Sequence, residues 1–229
     1  LPRRLTSTGP KRSVSMRVRR RFRCSSAASF RSANSSKDAE MLKLRISRVS
    51  KNFELGHDGL MFGYLMLTGE EGLKFLDETK LARKVMLDDK GRPIFDKQGL
   101  AIFNENHSVM MAIRLMWNYA PERIGRKRLL KSMRILLDNP EMNDLVIPDL
   151  GRWKDWSVQD RLIKAYGTRN FQGRSIRYTI IRYLLASTKD IPKGQKENPP
   201  PRVLKARKFL ALLRKKDPES VRRAERTFF

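Results

Sequence analysis

The sequence predicts an all-α fold of stacked antiparallel helix pairs, each packing mainly on its neighbours along the chain. Three observations carry that expectation. The segments "SVMMAIRLMWNY" from Ser108 and "SIRYTIIRYLLAS" from Ser175 place apolar residues at i, i+4, i+7 and i+8, one face of a helix. These are Val109, Ile113, Met116 and Trp117 in the first and Ile176, Ile180, Tyr183 and Leu184 in the second, matching position for position. The separation from Ser108 to Ser175 is about twice the 30 to 45 residues of helical-pair repeats. Finally, 40% hydrophobic and 32% charged residues suit a helical surface around one core better than a sheet.

In chain order, residues 1–50 read as a disordered basic leader. Their first forty are rich in Arg and Ser and carry no acid before Asp38, too little apolar surface to offset chain entropy. Three roles stay open for them: an organelle-targeting presequence, a nucleic-acid-binding arm, or a non-native stretch ahead of a true start at Met16 or Met41. Cys24 is the single cysteine, which excludes an internal disulfide and multi-cysteine metal sites. No run of about 18 apolar residues exists to span a membrane, and the start lacks the apolar core of a secretory signal. The compartment is therefore unassigned: cytoplasmic by default, exported if a longer N-terminus precedes Leu1.

Residues 51–191 form the expected helical-repeat domain. "HDGLMFGYLMLTGEEGLKFLDETKL" spaces Leu60, Met61, Tyr64 and Leu65, then Leu73, Leu76 and Leu81, for two short helices broken at Thr68 and Gly69. The turn signals at Asp89-Lys90-Gly91 and Asp96-Lys97-Gln98-Gly99 predict a small hairpin insertion near residues 85–103, or equally a long projecting loop. "GRKRLLKSMRILLDNP" supplies Leu129, Leu130, Met133, Leu136 and Leu137, stopped by Asn139-Pro140 because proline cannot continue the ladder. A short apolar turn, Leu145 to Ile147, follows.

"DLGRWKDWSVQDRLIKAYGT" then raises the main local question, two tryptophans in a basic stretch. Ser157 and Asp160 predict a capping-box start, with Trp156 just ahead of the cap and Arg161 covering its indole. Trp153 and Trp156 are expected to seal the joint between helical pairs, each removing about 150–250 Å² from water, rather than to stack on bases. Residues 192–202 are a proline-rich linker. Residues 203–229 are a C-terminal helical pair packed on the repeat domain, with Val203, Ala206, Leu210 and Leu213 inward and Asp217-Pro218-Glu219 capping the last helix. The expected core is Val109, Ile113, Trp117, Leu130, Met133, Trp153, Trp156, Leu162, Ile176, Ile180, Leu184 and Leu210, with methionines such as Met110, Met116 and Met133 as filler.

Charge is the unusual property. The 50 Lys+Arg against 24 Asp+Glu give +26, distributed as +9 over residues 1–40, +3 over 41–150 and +14 over 151–229. Such a field draws polyanions without choosing among them. Two candidate polyanion-binding strips stand out. Arg126, Lys127, Lys131 and Arg134 lie on one helix; Arg207, Lys208, Arg214 and Lys215 are two pairs seven residues apart on another. Catalytic signals are poor. His57 and His107 are far apart with no chelating or triad spacing. Asp138, Glu141 and Asp144 lack the glycine turn and final glutamate of a calcium loop, and "TGEEG" matches no phosphate-binding fingerprint. No catalytic residue, metal ligand or cofactor is assigned.

The series "ELGHDGLMFGYLMLTGEEGLKFLDETKL", "AIRLMWNYAPERIGRKRLLKSMRILLDNPEMNDLVIPDLGRWKDWSVQDRLIKAYGT", "IRYLLASTKD" and "RKKDPESVRRAERTFF" resembles uncharacterised planctomycete proteins with HEAT-like helical repeats. The resemblance covers about residues 52–229 and is most specific in "LVIPDLGRWKDWSVQDRL". It implies a HEAT-like α-solenoid fragment with no assigned activity, the C-terminal part of a longer, exported repeat array. "DDKGRPIFDKQG" departs from that pattern as an insertion. The expected function is a non-enzymatic protein-binding scaffold, with nucleic-acid or other polyanion binding through the basic C-terminal third as the alternative.

Overall fold

The computed structural model describes residues 35–48, 56–90 and 92–227, and from Ser36 onward they form one compact unit. Ten α-helices run in order: α1 (Ser35–Ser47), α2 (His57–Thr68), α3 (Glu70–Leu76), α4 (Lys97–Tyr119), α5 (Arg126–Ile135), α6 (Asn143–Arg152), α7 (Gln159–Ala165), α8 (Arg174–Lys189), α9 (Pro201–Lys216) and α10 (Pro218–Arg226). The chain is all-α among the described residues; extended pairing is limited to a single antiparallel bridge between Leu87 and Pro93.

Two helices organise the packing. α4 lies against α2, α5 and the π-helical turn Asp77–Leu81, and α8 lies against α6, α9 and α10. Both carry the repeated apolar face read from the sequence, and those faces are buried: Val109, Ile113 and Met116 on α4, and Ile180, Tyr183 and Leu184 on α8. Met133, Leu162 and Leu210 are buried with them, while Trp117, Leu130, Trp153, Trp156 and Ile176 are partly buried and pack on the same core.

Several boundaries differ from expectation. The segment read as a disordered leader is helical in its last part, because α1 carries Leu42 and Ile46 one turn apart and Ile46 is fully buried. Residues 1–34, Cys24 and Met16 among them, lie outside the described residues. The hairpin near 85–103 shrinks to one turn, in which Asp88 N donates to Arg92 O and Ile94 N to Met86 O. Its second half is instead the start of α4, eleven residues ahead of Ser108. Asp96 caps that helix by accepting from Gly99 N. Gly99 is required there, since a Cβ would fall 2.0 Å from the Ile94 carbonyl oxygen.

The break at Thr68 and Gly69 is present, with Gly69 at φ 63, a positive value that favours glycine, and its N–H closing on Leu65 O. The apolar turn at Leu145–Ile147 is in fact within α6, which tolerates Pro148 in its interior. Asp155, rather than Ser157, caps the turn ahead of α7, accepting from the Ser157 amide and hydroxyl. Arg161 pairs with Asp138 instead of covering Trp156. The linker ends at Pro200, with Pro201 opening α9.

Buried ions as well as apolar contacts join the elements around α4. Glu105 on α4, 3% exposed, accepts from Lys80 Nζ and Arg83 Nη1, both at 2.6 Å. Removing one member of such a buried set strands the other's charge. Glu105→Ala is expected to lower unfolding free energy by about 3–5 kcal/mol in urea titration; an unchanged midpoint would show that Lys80 reaches water unaided.

Candidate functional site

α8 positions the site. Its neighbours α6, α9 and α10 cover most of its circumference, and the strip they leave carries Arg174, Arg177, Tyr178 and Arg182 at the spacing of one helix face. Two cavities adjoin along that strip and share Tyr178. One, of about 340 Å³, lies between α6 and α8, with Pro148, Gly151 and Ala186 on its apolar side and Arg152 and Arg182 among its lining. The other, of about 140 Å³, is bounded by Arg174, Arg177 and Arg223, with Asp217, Glu219 and Ser220 from the start of α10. Together they present five arginines and two carboxylates.

The walls are fixed by partners behind them. Tyr183 donates its hydroxyl to Asp155 O at 2.6 Å; burial pushes this phenol far above its ordinary range, so it stays a neutral donor. The Asp155 carboxylate takes Arg134 through two hydrogen bonds, 2.7 and 2.9 Å. Arg152 donates to Asp149, whose other oxygen accepts from Arg114 at 2.6 Å. Tyr178 shares a 2.6 Å hydrogen bond with Thr227, and Arg182 lies over its ring and donates to its hydroxyl. The Thr227 hydrogen bond, with Arg182 and Arg223 nearby, holds the Tyr178 phenol below its usual value.

Of the two carboxylates, Asp217 is committed elsewhere. Burial alone would raise its pKa, but donation from Tyr166 and Ser220 and the charge of Arg177 outweigh that and keep it ionised. Its oxygens accept from Tyr166 Oη at 2.8 Å, Arg177 Nη1 at 2.9 Å and the Ser220 amide. The Nε of Arg177 is buried and has no hydrogen-bond partner, while Arg174 and Arg223 are exposed and pair with no described carboxylate.

The strips read from the sequence sit on helices of different packing groups: α5 packs on α4 and α6, and α9 on α8 and α10. On α5, Arg134 is spent on Asp155 and Arg126 lies 4.9 Å over the Trp117 ring. Lys131 borders an acidic recess containing Glu70, Glu71 and Glu78, and Lys127 is exposed. On α9, Arg214 pairs with Glu225, leaving Arg207, Lys208 and Lys215 exposed and unpaired among the described residues. The arginines of the α8 groove were missed, although Arg174, Arg177 and Arg182 recur at helical spacing around Tyr178.

No family model matches this chain, and no curated protein and no solved structure matches it. The groove therefore carries the functional reading by its own chemistry. The tryptophans are occupied internally: Trp153 stacks on Trp117 with centroids 4.2 Å apart and 12° between planes. Trp156 meets Tyr183 edge to face and donates Nε1 to Asp190 at 2.7 Å. His107 stacks against Phe103, and His57 is buried in the first turn of α2. Among the described residues no three His, Cys, Asp or Glu side chains could hold a metal ion, and no described helix is long and apolar enough to cross a membrane.

Asp190 closes the joint beside the groove. Lys154, at φ 57, donates to one carboxylate oxygen; Trp156 and Arg202 donate to the other. The Lys154 hydrogen bond, above all, holds the Asp190 carboxyl below its ordinary value. A depressed folded pKa makes the unfolded chain the better proton acceptor, so the stabilisation is complete above the unfolded value of about 4. It is lost as pH falls through the folded value. Asp190→Asn is expected to cost about 1–2 kcal/mol at neutral pH, and thermal melts of the two proteins are expected to converge below about pH 4. A gap independent of pH would separate the loss from titration.

Proposed function

We propose that the protein binds single-stranded nucleic acid, with the α8 groove as the contact and the exposed basic face of α9 extending its field. The observation that carries this reading is the concentration of Arg152, Arg174, Arg177, Arg182 and Arg223 around two adjoining cavities. Guanidinium groups match phosphate oxygens in planar, paired geometry. The cavity between α6 and α8, with its apolar side, suits an unpaired base, which a duplex keeps stacked inside. Contacts of this kind follow the backbone and tolerate sequence. The role is one of binding, with no catalytic residue assigned.

A second reading, the protein-binding scaffold, has its own observation. Met86, Ile94, Phe95 and Leu100 stand 72%, 38%, 53% and 47% exposed around the turn that precedes α4, a cluster of the kind found at docking sites. In the same reading the helix pairs form a HEAT-like stack belonging to a longer array. It is supported by the order of packing, in which α4 joins α5, α5 joins α6, α6 joins α8 and α8 joins the α9–α10 pair. Phe95→Asp releasing a bound protein partner would favour this reading; a wild-type eluate containing nucleic acid alone would count against it.

Binding of a labelled single-stranded oligonucleotide, followed by anisotropy, is expected to weaken steeply between about 50 and 200 mM salt. Replacing Arg207 and Lys208 by Gln is expected to reduce the log–log slope by about 1 for each phosphate no longer neutralised. A flat salt response in the wild-type protein rules the reading out.

A further inference from the structure

The two ends of the groove differ in chemistry, and that difference says more than general affinity for a backbone. The larger cavity has an apolar side formed by Pro148, Gly151 and Ala186. The smaller one is confined by the first turn of α10, where Glu219 stands among the lining residues. The small cavity holds about 140 Å³ with three guanidinium groups around it, a concentration of positive charge that the larger cavity, with two, does not match.

The geometry points to recognition of a terminal phosphomonoester of a nucleic-acid strand in the cavity formed by Arg174, Arg177 and Arg223, with the adjoining base directed into the cavity between α6 and α8. This rests on the nucleic-acid reading of the groove and adds which part of the strand is read. The charge argument favours an end over an internal link. An internal phosphodiester carries one negative charge, whereas a phosphomonoester carries about 1.5 to 2 at neutral pH and three acceptor oxygens. Three guanidinium groups can place a donor on each.

Two carboxylates, Asp217 and Glu219, also line the cavity, and its three guanidinium groups outweigh them by one charge. Asp217 is already bound to Arg177, Tyr166 and Ser220. Because it takes the Ser220 amide, the start of α10 is capped by its own side chain, and the anion-binding groups are the arginines. Tyr178 joins the two cavities and lies about one helical turn, some 6 Å, from Arg182 along α8, so a base and its own phosphate could straddle it.

The test uses the full chain and one labelled oligonucleotide sequence prepared with a 5′-phosphate, with a 3′-phosphate, or with hydroxyls at both ends. Anisotropy titrations at fixed salt are expected to show one phosphorylated form binding about tenfold more tightly than the hydroxyl form, the worth of one charge-assisted contact. The preferred form identifies which end is read. Arg174→Gln and Arg223→Gln are expected to abolish the ratio between phosphorylated and hydroxyl forms. Lys208→Gln, outside the cavity, is expected to weaken all three forms and preserve the ratio. Equal binding of all three forms by the wild type would overturn the inference while leaving nucleic-acid binding in place. Failure of every oligonucleotide to bind would remove the underlying reading. A phosphoseryl peptide competing more strongly than the phosphorylated oligonucleotide would assign the cavity to a protein ligand and also overturn the inference.

Discussion

A few buried carboxylates, each gripping cations from other parts of the chain, set the arrangement of this molecule. In a chain with twice as many Lys and Arg as acids, a carboxylate taken out of water has no shortage of partners. Glu105 takes Lys80 and Arg83, Asp149 takes Arg114 and Arg152, and Asp155 takes Arg134, while the half-buried Asp190 takes Lys154 and Arg202 in the same way. Each set joins elements that are separate in sequence. Apolar burial supplies the driving force for packing these helices, but it is non-directional. The ion sets add direction, because a buried charge left unpaired is costly.

The same arrangement shapes the outer surface. The ion sets engage only some of the cations, and the excess of the C-terminal third faces solvent on α9 and α10 and along the open strip of α8. The groove also depends on those joints directly. Tyr183 forms a wall of the larger cavity and is held through Asp155 O, while the Asp155 carboxylate is held by Arg134 on α5. Charge chemistry in the interior and the proposed ligand chemistry at the surface are thus parts of one structure.

Helices with strong apolar periodicity were legible from the sequence. α8 lies where the spacing of Ile176, Ile180 and Leu184 places it, and the core of α4 matches Val109, Ile113 and Met116. Errors arose where a local signal has two physical meanings. Asp96-Lys97-Gln98-Gly99 has turn composition, yet Asp96 is a helix cap and Gly99 is needed for close approach to the Ile94 carbonyl. Leu145–Ile147 reads as a short apolar turn, yet it lies within α6, which accommodates Pro148. In the basic strips, Arg134 and Lys127 look alike in sequence; only the position of Asp155 makes one of them structural.

By itself the sequence determined the all-helical character, the inward faces of the main helices and the excess of positive charge toward the C-terminus. Periodicity and composition are local or summed properties, readable without knowing what touches what. Tertiary structure alone decided which arginines are paired and which remain at the surface. It also placed the tryptophans against Trp117 and Tyr183 and brought Arg152, Arg177 and Arg223 to adjoining cavities. Those outcomes depend on contacts between residues tens of positions apart, and Coulomb attraction at a few ångströms acts on distance in space, which spacing along the chain does not specify.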